Sequence, residues 1–389
     1  MNQVTSFKID VQESQLDDLR RRLNATRWPE AATVSDWSQG IPLDYLREVC
    51  AYWAQDYDWR ERERRINALP QFKTDIDGLG IHFIHVRSPH ADARPLILTH
   101  GWPGSVVEFL NVIGPLTDPE RHGGAADEAF HVVAPALPGF GFSDKPDKPG
   151  WGVSAIAAAW VQLMQRLGYE RFYAQGGDWG AAVTSAIGAL HADCCLGIHV
   201  NMPVVPMVPA QGEALSADEE DGIAALAHYQ KYSSGYMAQQ MTRPQTIGYG
   251  LVDSPVGLAG WILEKFWCWC DCNGQPEMAV SRDELLDNVM FYWLTASAAS
   301  SARLYWENAA SLFQILSGEI SGGPGYYIDV PSGISRFPGE IMKPSRRWAE
   351  RRYRNLVYFN KLDRGGHFAA FEQPQTFVSE LRACFRQMG

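Results

Sequence analysis

One aspartate set among glycines constrains the fold of this 389-residue chain more than any other feature. The segment Gly-Gly-Asp-Trp-Gly at residues 176–180 directly follows a short apolar run, residues 172–175, that is predicted to be a strand. It directly precedes a run of small residues, 181–188, that is predicted to be a helix. Small residues at this spacing are typical of a sharp strand–turn–helix junction that exposes a nucleophile. Asp178 occupies the nucleophile's position, although an aspartate that only caps the following helix would also fit.

Short apolar runs alternate with helical patterns along most of the chain. Strands are predicted at 95–99, 130–135, 172–175 and 356–359, a hairpin at 74–86, and a helix at 154–167. The hairpin is predicted to turn at Asp77-Gly78, a pair typical of tight turns between strands. Strands that alternate with helices indicate a mostly parallel sheet covered on both faces. The sequence therefore predicts an α/β fold.

The alternation is absent from two segments. Residues 206–305 are rich in Trp and Tyr and have a helical pattern with Pro/Gly breaks. Because the sheet pattern resumes after them, they are predicted to be a helical lid inserted in the core, and a separate domain is the alternative. The segment 1–75 is predicted to hold three helices, at 12–23, 43–55 and 59–69. The core is then formed by residues 76–205 and 306–389.

Composition excludes several classes of protein. Hydrophobic residues make up 46% of the chain, which excludes a disordered protein. The formal net charge of -11 disfavours nucleic-acid binding, which requires a basic surface. The chain has no apolar run of about 18 residues, so no membrane span is predicted. Charges interrupt the first residues, which would be apolar in a signal peptide. We therefore expect a cytoplasmic protein that binds neither nucleic acid nor membrane.

The cysteines give no sign of a disulfide framework or a metal site. Their number, 7, is odd, and they are irregularly spaced. Cys268, Cys270 and Cys272 alternate with other residues. No second Cys or His pair follows, as a structural zinc would usually require. We expect reduced thiols and no metal.

The residue type at position 178 limits the reaction. If a serine oxygen attacked an sp3 carbon, the product would be an ether, which water does not readily cleave. A carboxylate forms an ester, whose carbonyl can then be hydrolysed. An Asp178 nucleophile therefore implies turnover through a covalent ester, with an epoxide or an alkyl halide as the group attacked.

A second motif, His-Gly-Trp-Pro-Gly at residues 100–104, follows the strand predicted at 95–99. In a fold with this junction, the loop at this place supplies one backbone N–H of the oxyanion hole, and the residue after the nucleophile supplies the other. This assigns the N–H groups of Trp102 and Trp179.

A third motif, Arg-Gly-Gly-His-Phe at residues 364–368, follows the last predicted strand. The chain order nucleophile, acid, base makes His367 the candidate base that activates water. A histidine in this role needs a carboxylate to hold its tautomer. Glu340 and Asp363 are both candidates, and the residues alone give Glu340 a modest preference.

Together the three motifs resemble the microsomal-type epoxide hydrolases of the α/β-hydrolase superfamily. The resemblance covers nearly the whole chain, including residues 7–29 and the run 235–258. It implies an α/β-hydrolase fold with a helical lid inserted in the core. It also implies that residues 1–75 form an N-terminal meander around core and lid. Some members carry a membrane anchor before this meander, and its absence here implies a soluble form.

The resemblance also implies residue roles. Asp178 is the nucleophile, Glu340 the charge-relay acid and His367 the base, while Tyr236 and Tyr305 match the lid tyrosines. A phenol, with an ordinary pKa of about 10, can donate to the alkoxide that ring opening generates and remain un-ionised at neutral pH. No cofactor and no metal are implied. The expected partners are a small epoxide and water, with a homodimer as one candidate assembly.

The substrate and the reaction each leave alternatives. Similarity to actinobacterial enzymes of enediyne biosynthesis implies a secondary-metabolite, aryl epoxide, and broad detoxification of epoxides is the alternative. A haloalkane dehalogenase shares the Asp and the Trp after it, but it needs two side-chain N–H donors for halide. Trp179 and the lid residues Trp261, Trp267, Trp269 and Trp293 are the candidates. A catalytically silent ligand-binding protein of this fold is a third hypothesis.

Overall fold

A mixed sheet forms the centre of the protein in a computed structural model that describes residues 3–210, 212–316 and 325–388. Its strands are β1 (Thr5–Phe7), β2 (Gln71–Ile76), β3 (Leu79–Val86), β4 (Arg94–Thr99), β5 (Phe130–Pro135), β6 (Phe172–Gly176), β7 (Cys195–Val200), β8 (Ser332–Arg336) and β9 (Leu356–Lys361). The spatial order is β1-β2-β3-β5-β4-β6-β7-β8-β9. Strands β1, β2, β3 and β5 pair antiparallel in succession, and all pairs from β5 to β9 are parallel.

Helices cover both faces of the sheet and fill the long connection between β7 and β8. They are α1 (Glu13–Asn24), α2 (Leu43–Gln55), α3 (Trp59–Asn67), α4 (Leu110–Thr117), α5 (Val153–Arg166), α6 (Trp179–Leu190), α7 (Ala217–Tyr232), α8 (Gly235–Thr242), α9 (Pro244–Asp253), α10 (Pro255–Trp269), α11 (Arg282–Trp293), α12 (Ala298–Glu307), α13 (Ala309–Leu316), α14 (Arg346–Ala349), α15 (Ala369–Glu372) and α16 (Pro374–Arg386).

The predicted α/β fold is confirmed, and its buried strands explain why the pattern was visible. Leu96, Ile97 and Leu98 of β4 are fully buried, as expected for a central parallel strand with helices on both faces. The helices predicted at 12–23, 43–55, 59–69 and 154–167 are α1, α2, α3 and α5, within two residues at each end. The predicted hairpin joins β2 and β3, with Asp77 at a φ of 53° in its turn.

Helices α7 to α13 leave the sheet after β7, and the chain returns to it at β8. This excursion includes most of the segment predicted as a lid. At the other end of the sheet, β1 and all but the last residue of β2 lie within residues 1–75, and α1 of the same segment contacts α10 of the excursion. The amino-terminal segment is therefore in contact with both the sheet and the excursion.

The cysteine run at 268–272 does not form a strand, because Cys268 lies in the last turn of α10, which ends at Trp269. All seven cysteines are free. Within residues 3–210, 212–316 and 325–388, no group of three or more His, Cys, Asp or Glu side chains is placed to hold a metal ion. No helix in the same ranges is long and apolar enough to cross a membrane.

Candidate active site

Four loops meet at the carboxyl end of the parallel strands. Trp102 follows β4, Asp178 follows β6, Glu340 follows β8 and His367 follows β9. Because the carboxyl ends of parallel strands lie at one edge of a sheet, residues far apart in the chain come together there. The sequence-predicted residues of the core are thus brought into one site.

The junction around Asp178 is a tight turn. Asp178 has φ 50° and ψ -128°, a conformation that residues with a side chain rarely adopt. A Cβ added to Gly176 would overlap the backbone of Gly180, and a Cβ on Gly180 would overlap the carbonyl of Thr99. Glycine is therefore required at both positions, since α6 begins too close to the sheet for any side chain. The predicted strand–turn–helix junction is present.

The Asp178 carboxylate lies against the loop that follows β4. The Trp102 N–H donates to Asp178 Oδ1 over 2.8 Å, as predicted for one donor of the oxyanion hole. Gly101 leaves room for this approach, because a Cβ there would overlap the carboxylate. Trp179, the other predicted donor, is the first residue of α6, where N–H groups have no partner within the helix. Its donor role stays a prediction.

His367 bridges the two carboxylates of the site. Its Nε2 lies 3.3 Å from Asp178 Oδ2, and its Nδ1 lies 2.6 Å from Glu340 Oε1. The side chains of His367 and Glu340 are buried, whereas Asp363 is exposed at the surface. The structure therefore brings Glu340 and not Asp363 to the imidazole. Burial lowers the pKa of His367, but the charges of Glu340 and Asp178 outweigh that effect and hold this pKa well above its ordinary value.

Backbone contacts fix the loop that carries His367. The Gly339 N–H donates to the Gly365 carbonyl over 3.0 Å, which joins the loops of the base and of its acid. The His367 N–H donates over 2.9 Å to the carbonyl of Trp269, at the end of α10. A Cβ on Gly366 would overlap that same carbonyl, so glycine at this position allows the close approach of α10.

The two predicted lid tyrosines face each other above Trp102. Tyr236 on α8 stacks on the Trp102 ring with centroids 4.8 Å apart, and Tyr305 on α12 meets it edge-on at 5.8 Å. Their own ring centroids are 5.8 Å apart. Burial raises the pKa of both phenols well above the ordinary value, which keeps them protonated. Both side chains are therefore hydrogen-bond donors next to Asp178.

The surroundings of the two hydroxyl groups differ. The Tyr236 hydroxyl lies 2.8 Å from that of Tyr229, on α7. The Tyr305 hydroxyl makes no hydrogen bond of normal geometry to any residue in the described part of the chain. Tyr229 is a residue that the sequence did not single out. It lies on a different helix from Tyr236, so no helical spacing in the sequence could indicate their contact.

A cavity of about 550 Å³ opens in front of the nucleophile. Asp178, Trp179, Tyr229, Tyr236 and Tyr305 reach it, and most of its remaining wall is apolar: Val153, Ala182, Ala186, Leu190, Met202, Val204, Leu226, Met237, Leu312, Ile341 and Met342. Cavities of this size and character are typical of small-molecule sites. The site can present a carboxylate and two phenols to an apolar ligand.

Comparison with known proteins agrees with this arrangement. The family model for the epoxide hydrolase N terminus matches residues 4–109, and the model for the alpha/beta hydrolase fold matches residues 94–237. A solved structure, the juvenile hormone epoxide hydrolase of Bombyx mori, superposes with a TM-score of 0.88 at 30% identity, covering 100% of this chain and 95% of that one.

Two curated relatives are similar along almost the whole chain. A Stigmatella aurantiaca protein with a provisional epoxide hydrolase name is 55% identical, over 99% of this chain and 85% of its own length. Epoxide hydrolase 1 of Oryctolagus cuniculus is 36% identical, over 97% and 88%. With these matches, the protein belongs to the epoxide hydrolases of the α/β-hydrolase superfamily, of the microsomal type.

Proposed function

We propose that Asp178 opens the epoxide by direct attack and forms a covalent ester. The observation that carries this proposal is the arrangement of a carboxylate with two protonated phenols around one apolar cavity. Asp178 Oδ2 attacks an epoxide carbon, the C–O bond of the ring breaks, and negative charge develops on the leaving oxygen. Tyr236 and Tyr305 donate to that oxygen, and their contribution grows as the charge grows.

Hydrolysis of the ester is the second half of the proposed cycle. His367 takes a proton from water, whose oxygen adds to the Asp178 carbonyl carbon, and Trp102 N–H stabilises the oxyanion. Ester formation removes the negative charge of Asp178 that raises the pKa of His367. The imidazole therefore becomes easier to deprotonate once the intermediate has formed, which suits it to act as a base at that stage. Glu340 holds its Nδ1–H throughout.

Isotope labelling tests the ester mechanism. With enzyme in excess over an aryl epoxide in oxygen-18 water, a single turnover should place the label in the peptide that contains Asp178. The diol should carry none, because its new oxygen comes from the carboxylate. Label in the diol after one turnover would show direct attack by water. The control is the same peptide from the Asp178→Ala variant, which has no side-chain carboxylate oxygen to exchange.

The tryptophans favour this activity over haloalkane dehalogenation. Among the described residues that line the large cavity, Trp179 is the only tryptophan. Trp267 stacks on Trp37 instead, and the Trp261 indole N–H donates to Gln240. A halide leaving group would meet two phenols where a pair of indoles is needed. Epoxide consumption without halide release is the expected outcome when both substrate types are supplied.

We further propose a large, uncharged, aryl-bearing epoxide as the substrate, of the kind found in enediyne-type secondary metabolites. The size and apolar wall of the cavity support an uncharged ligand, because burying a charge without a partner is costly. Arg352, a charged residue of the wall, donates to the carbonyls of Val204 and Tyr326. A series of aryl epoxides of increasing size should show kcat/KM rising with buried apolar area. Equal values across small and large epoxides would instead indicate broad detoxification.

The division of labour along the chain is part of this proposal. Residues 206–305 act as the lid that carries both phenols, and residues 1–75 act as the meander that braces it. The contact of α1 with α10 supports the second role. A cytoplasmic location and a homodimer stay predictions.

A further inference from the structure

A second, much smaller cavity reaches the reacting groups. Its volume is about 20 Å³, and its wall includes Gln175, Asp178, Asn201, His367 and Glu108. This volume holds about one water molecule. Asp178 reaches this small cavity as well as the large one. The site thus has separate spaces for an epoxide and for a water molecule.

The wall of the small cavity has an unused acceptor. Gln175 Oε1 is buried and has no hydrogen-bond partner among the described residues, while Gln175 Nε2 donates to Asn201 Oδ1 over 3.1 Å. Asn201 itself lies against the turn, since a Cβ on Gly177 would be 2.8 Å from its Nδ2. Buried acceptors without a protein partner are usually satisfied by an ordered water.

Glu108 is a carboxyl that the mechanism has not used. It lies in a short 3-10 helix, Val106–Phe109, directly after the loop that carries Trp102. Its carboxyl group fills the space beside Gly104, where a Cβ would overlap Glu108 Oε1. Burial raises the pKa of Glu108 to about 8. The charge of His367 opposes this shift, and the charge of Asp178 adds to it. A neutral carboxyl can both donate to a water and accept from it.

We propose that Glu108 holds the hydrolytic water in the small cavity, between the Asp178 carbonyl carbon and His367. The inference rests on the proposed ester mechanism and adds a positioning residue to its second step. His367 Nε2 takes one proton of the water, and the water oxygen bonds to Asp178 Cγ. The bond from Cγ to the substrate oxygen breaks, and the proton passes to the diol. Glu108 neither gains nor loses a proton in this step.

Step-resolved kinetics of Glu108 variants test the proposal. In Glu108→Leu, which keeps the bulk but has no polar group, ester formation should stay within about twofold of wild type, while ester hydrolysis should slow at least tenfold. Glu108→Gln can still donate and accept, so it should restore hydrolysis to within a few-fold. Rapid quench followed by intact-protein mass gives the two rates separately. Glu61→Leu, at an exposed position of α3, controls for the substitution type.

A second variant tests the same role without a substitution of Glu108 itself. Gly104→Ala should displace the Glu108 side chain from its place, and it should slow hydrolysis more than ester formation. If Glu108→Leu does not fold, the Gly104→Ala variant still tests the role of Glu108. Equal slowing of both steps in these variants, or normal hydrolysis in Glu108→Leu, would overturn the role of Glu108. If the wild-type protein forms no ester at all, the mechanism itself fails, which is a different result.

Discussion

The hydroxyl oxygens of Tyr229 and Tyr236 lie 2.8 Å apart, so one of the two proposed proton donors is hydrogen-bonded to a further phenol. The Tyr305 hydroxyl makes no hydrogen bond of normal geometry among the described residues, although the side chains of Trp179 and Tyr236 lie close enough to oppose the rise in its pKa that burial causes. If Tyr236 donates to the epoxide oxygen, its own oxygen can accept from Tyr229, and hydrogen bonds in a chain polarise one another. The two donors are therefore unequal in their support.

This inequality predicts the effect of Tyr229→Phe. Ester formation should slow, but less than in Tyr236→Phe, because the donor itself remains and only its support is lost. In a Tyr236→Phe background, removal of the Tyr229 hydroxyl should have little further effect. Rapid-quench rates of the two single variants and the double variant form the required cycle. Independent, additive effects would show that the contact between the two hydroxyl groups has no part in ring opening.

The donors themselves can be removed one at a time. Tyr236→Phe and Tyr305→Phe should each destabilise the transition state of ring opening by about 2.7–4 kcal/mol, the cost of removing a single oxyanion donor. The double variant should lose nearly all ester formation, since no acid then faces the leaving oxygen. Hydrolysis of a preformed ester should be almost unchanged, because His367 and Trp102 remain. Tyr249→Phe, at an exposed position of α9, is the matched control.

Variants of the base and its acid should separate the two chemical steps. His367→Gln should form the ester and hydrolyse it slowly, giving a burst of about one equivalent and a protein mass increased by the substrate. Glu340→Gln should impair the same step, since the 2.6 Å contact to Nδ1 loses its charge. Asp363→Asn should turn over normally, because Asp363 is exposed. A slow hydrolysis step in Asp363→Asn would contradict the assignment of Glu340.

Loss of the charge of Asp178 should lower the pKa of His367. Asp178→Asn is neutral and nearly isosteric, so it imitates the charge of the ester intermediate. Wild-type His367 has a raised pKa because two carboxylates face it, and the variant retains only Glu340. NMR titration of the imidazole should therefore show a lower pKa in Asp178→Asn. An equal or higher value would remove the electrostatic basis for its change of role between the two steps.

The buried His199 predicts a specific acid sensitivity. Burial lowers its pKa to about 3, against about 6.5 in an unfolded chain. Its contribution to stability is complete above pH 6.5, and it is lost as the pH falls from 6.5 toward 3, by about 1.4 kcal/mol per pH unit. The free energy of unfolding of wild type minus that of His199→Gln should thus fall by about 2 kcal/mol between pH 6.5 and pH 5.

Urea denaturation at several pH values measures this difference. The subtraction cancels the contributions to the free energy of unfolding from titratable groups that both proteins share. His228→Gln, at an exposed position of α7, should show no comparable trend. A difference for His199→Gln that is constant with pH would mean that His199 has the same pKa in the folded and the unfolded protein.

The sequence predicted elements with a strong local pattern better than elements without one, for physical reasons. Glycines at 176 and 180 and the apolar strands record contacts that are local in the chain or impose strict steric limits. Strand β8 was not predicted individually, since its sequence, Ser-Gly-Ile-Ser-Arg, is largely polar and small. Its burial depends on partners in β7, which the whole excursion separates from it in the chain, and no local pattern reveals them.

Prediction of the site residues also depended on the local sequence pattern. Asp178 and His367 were predicted because their glycine-rich loops have a recognisable form. Choosing Glu340 over Asp363 needed the distance to Nδ1, which the residues alone do not contain. Tyr229 and Glu108 were missed because the role proposed for each depends on a contact that the local sequence does not reveal. The carboxyl group of Glu108 occupies the space that Gly104 leaves for it.

The excursion between β7 and β8 places the proposed acids of ring opening on a different part of the chain from the groups proposed to release the product. Tyr236 and Tyr305 lie on α8 and α12, whereas Asp178, Glu340 and His367 lie on the loops that follow strands of the sheet. The excursion also holds these loops in place, because the carbonyl of Trp269 accepts from the His367 N–H and the Tyr292 hydroxyl donates to the carbonyl of Gly104. A change in the excursion that alters the acids must therefore retain these contacts if the second step is to continue.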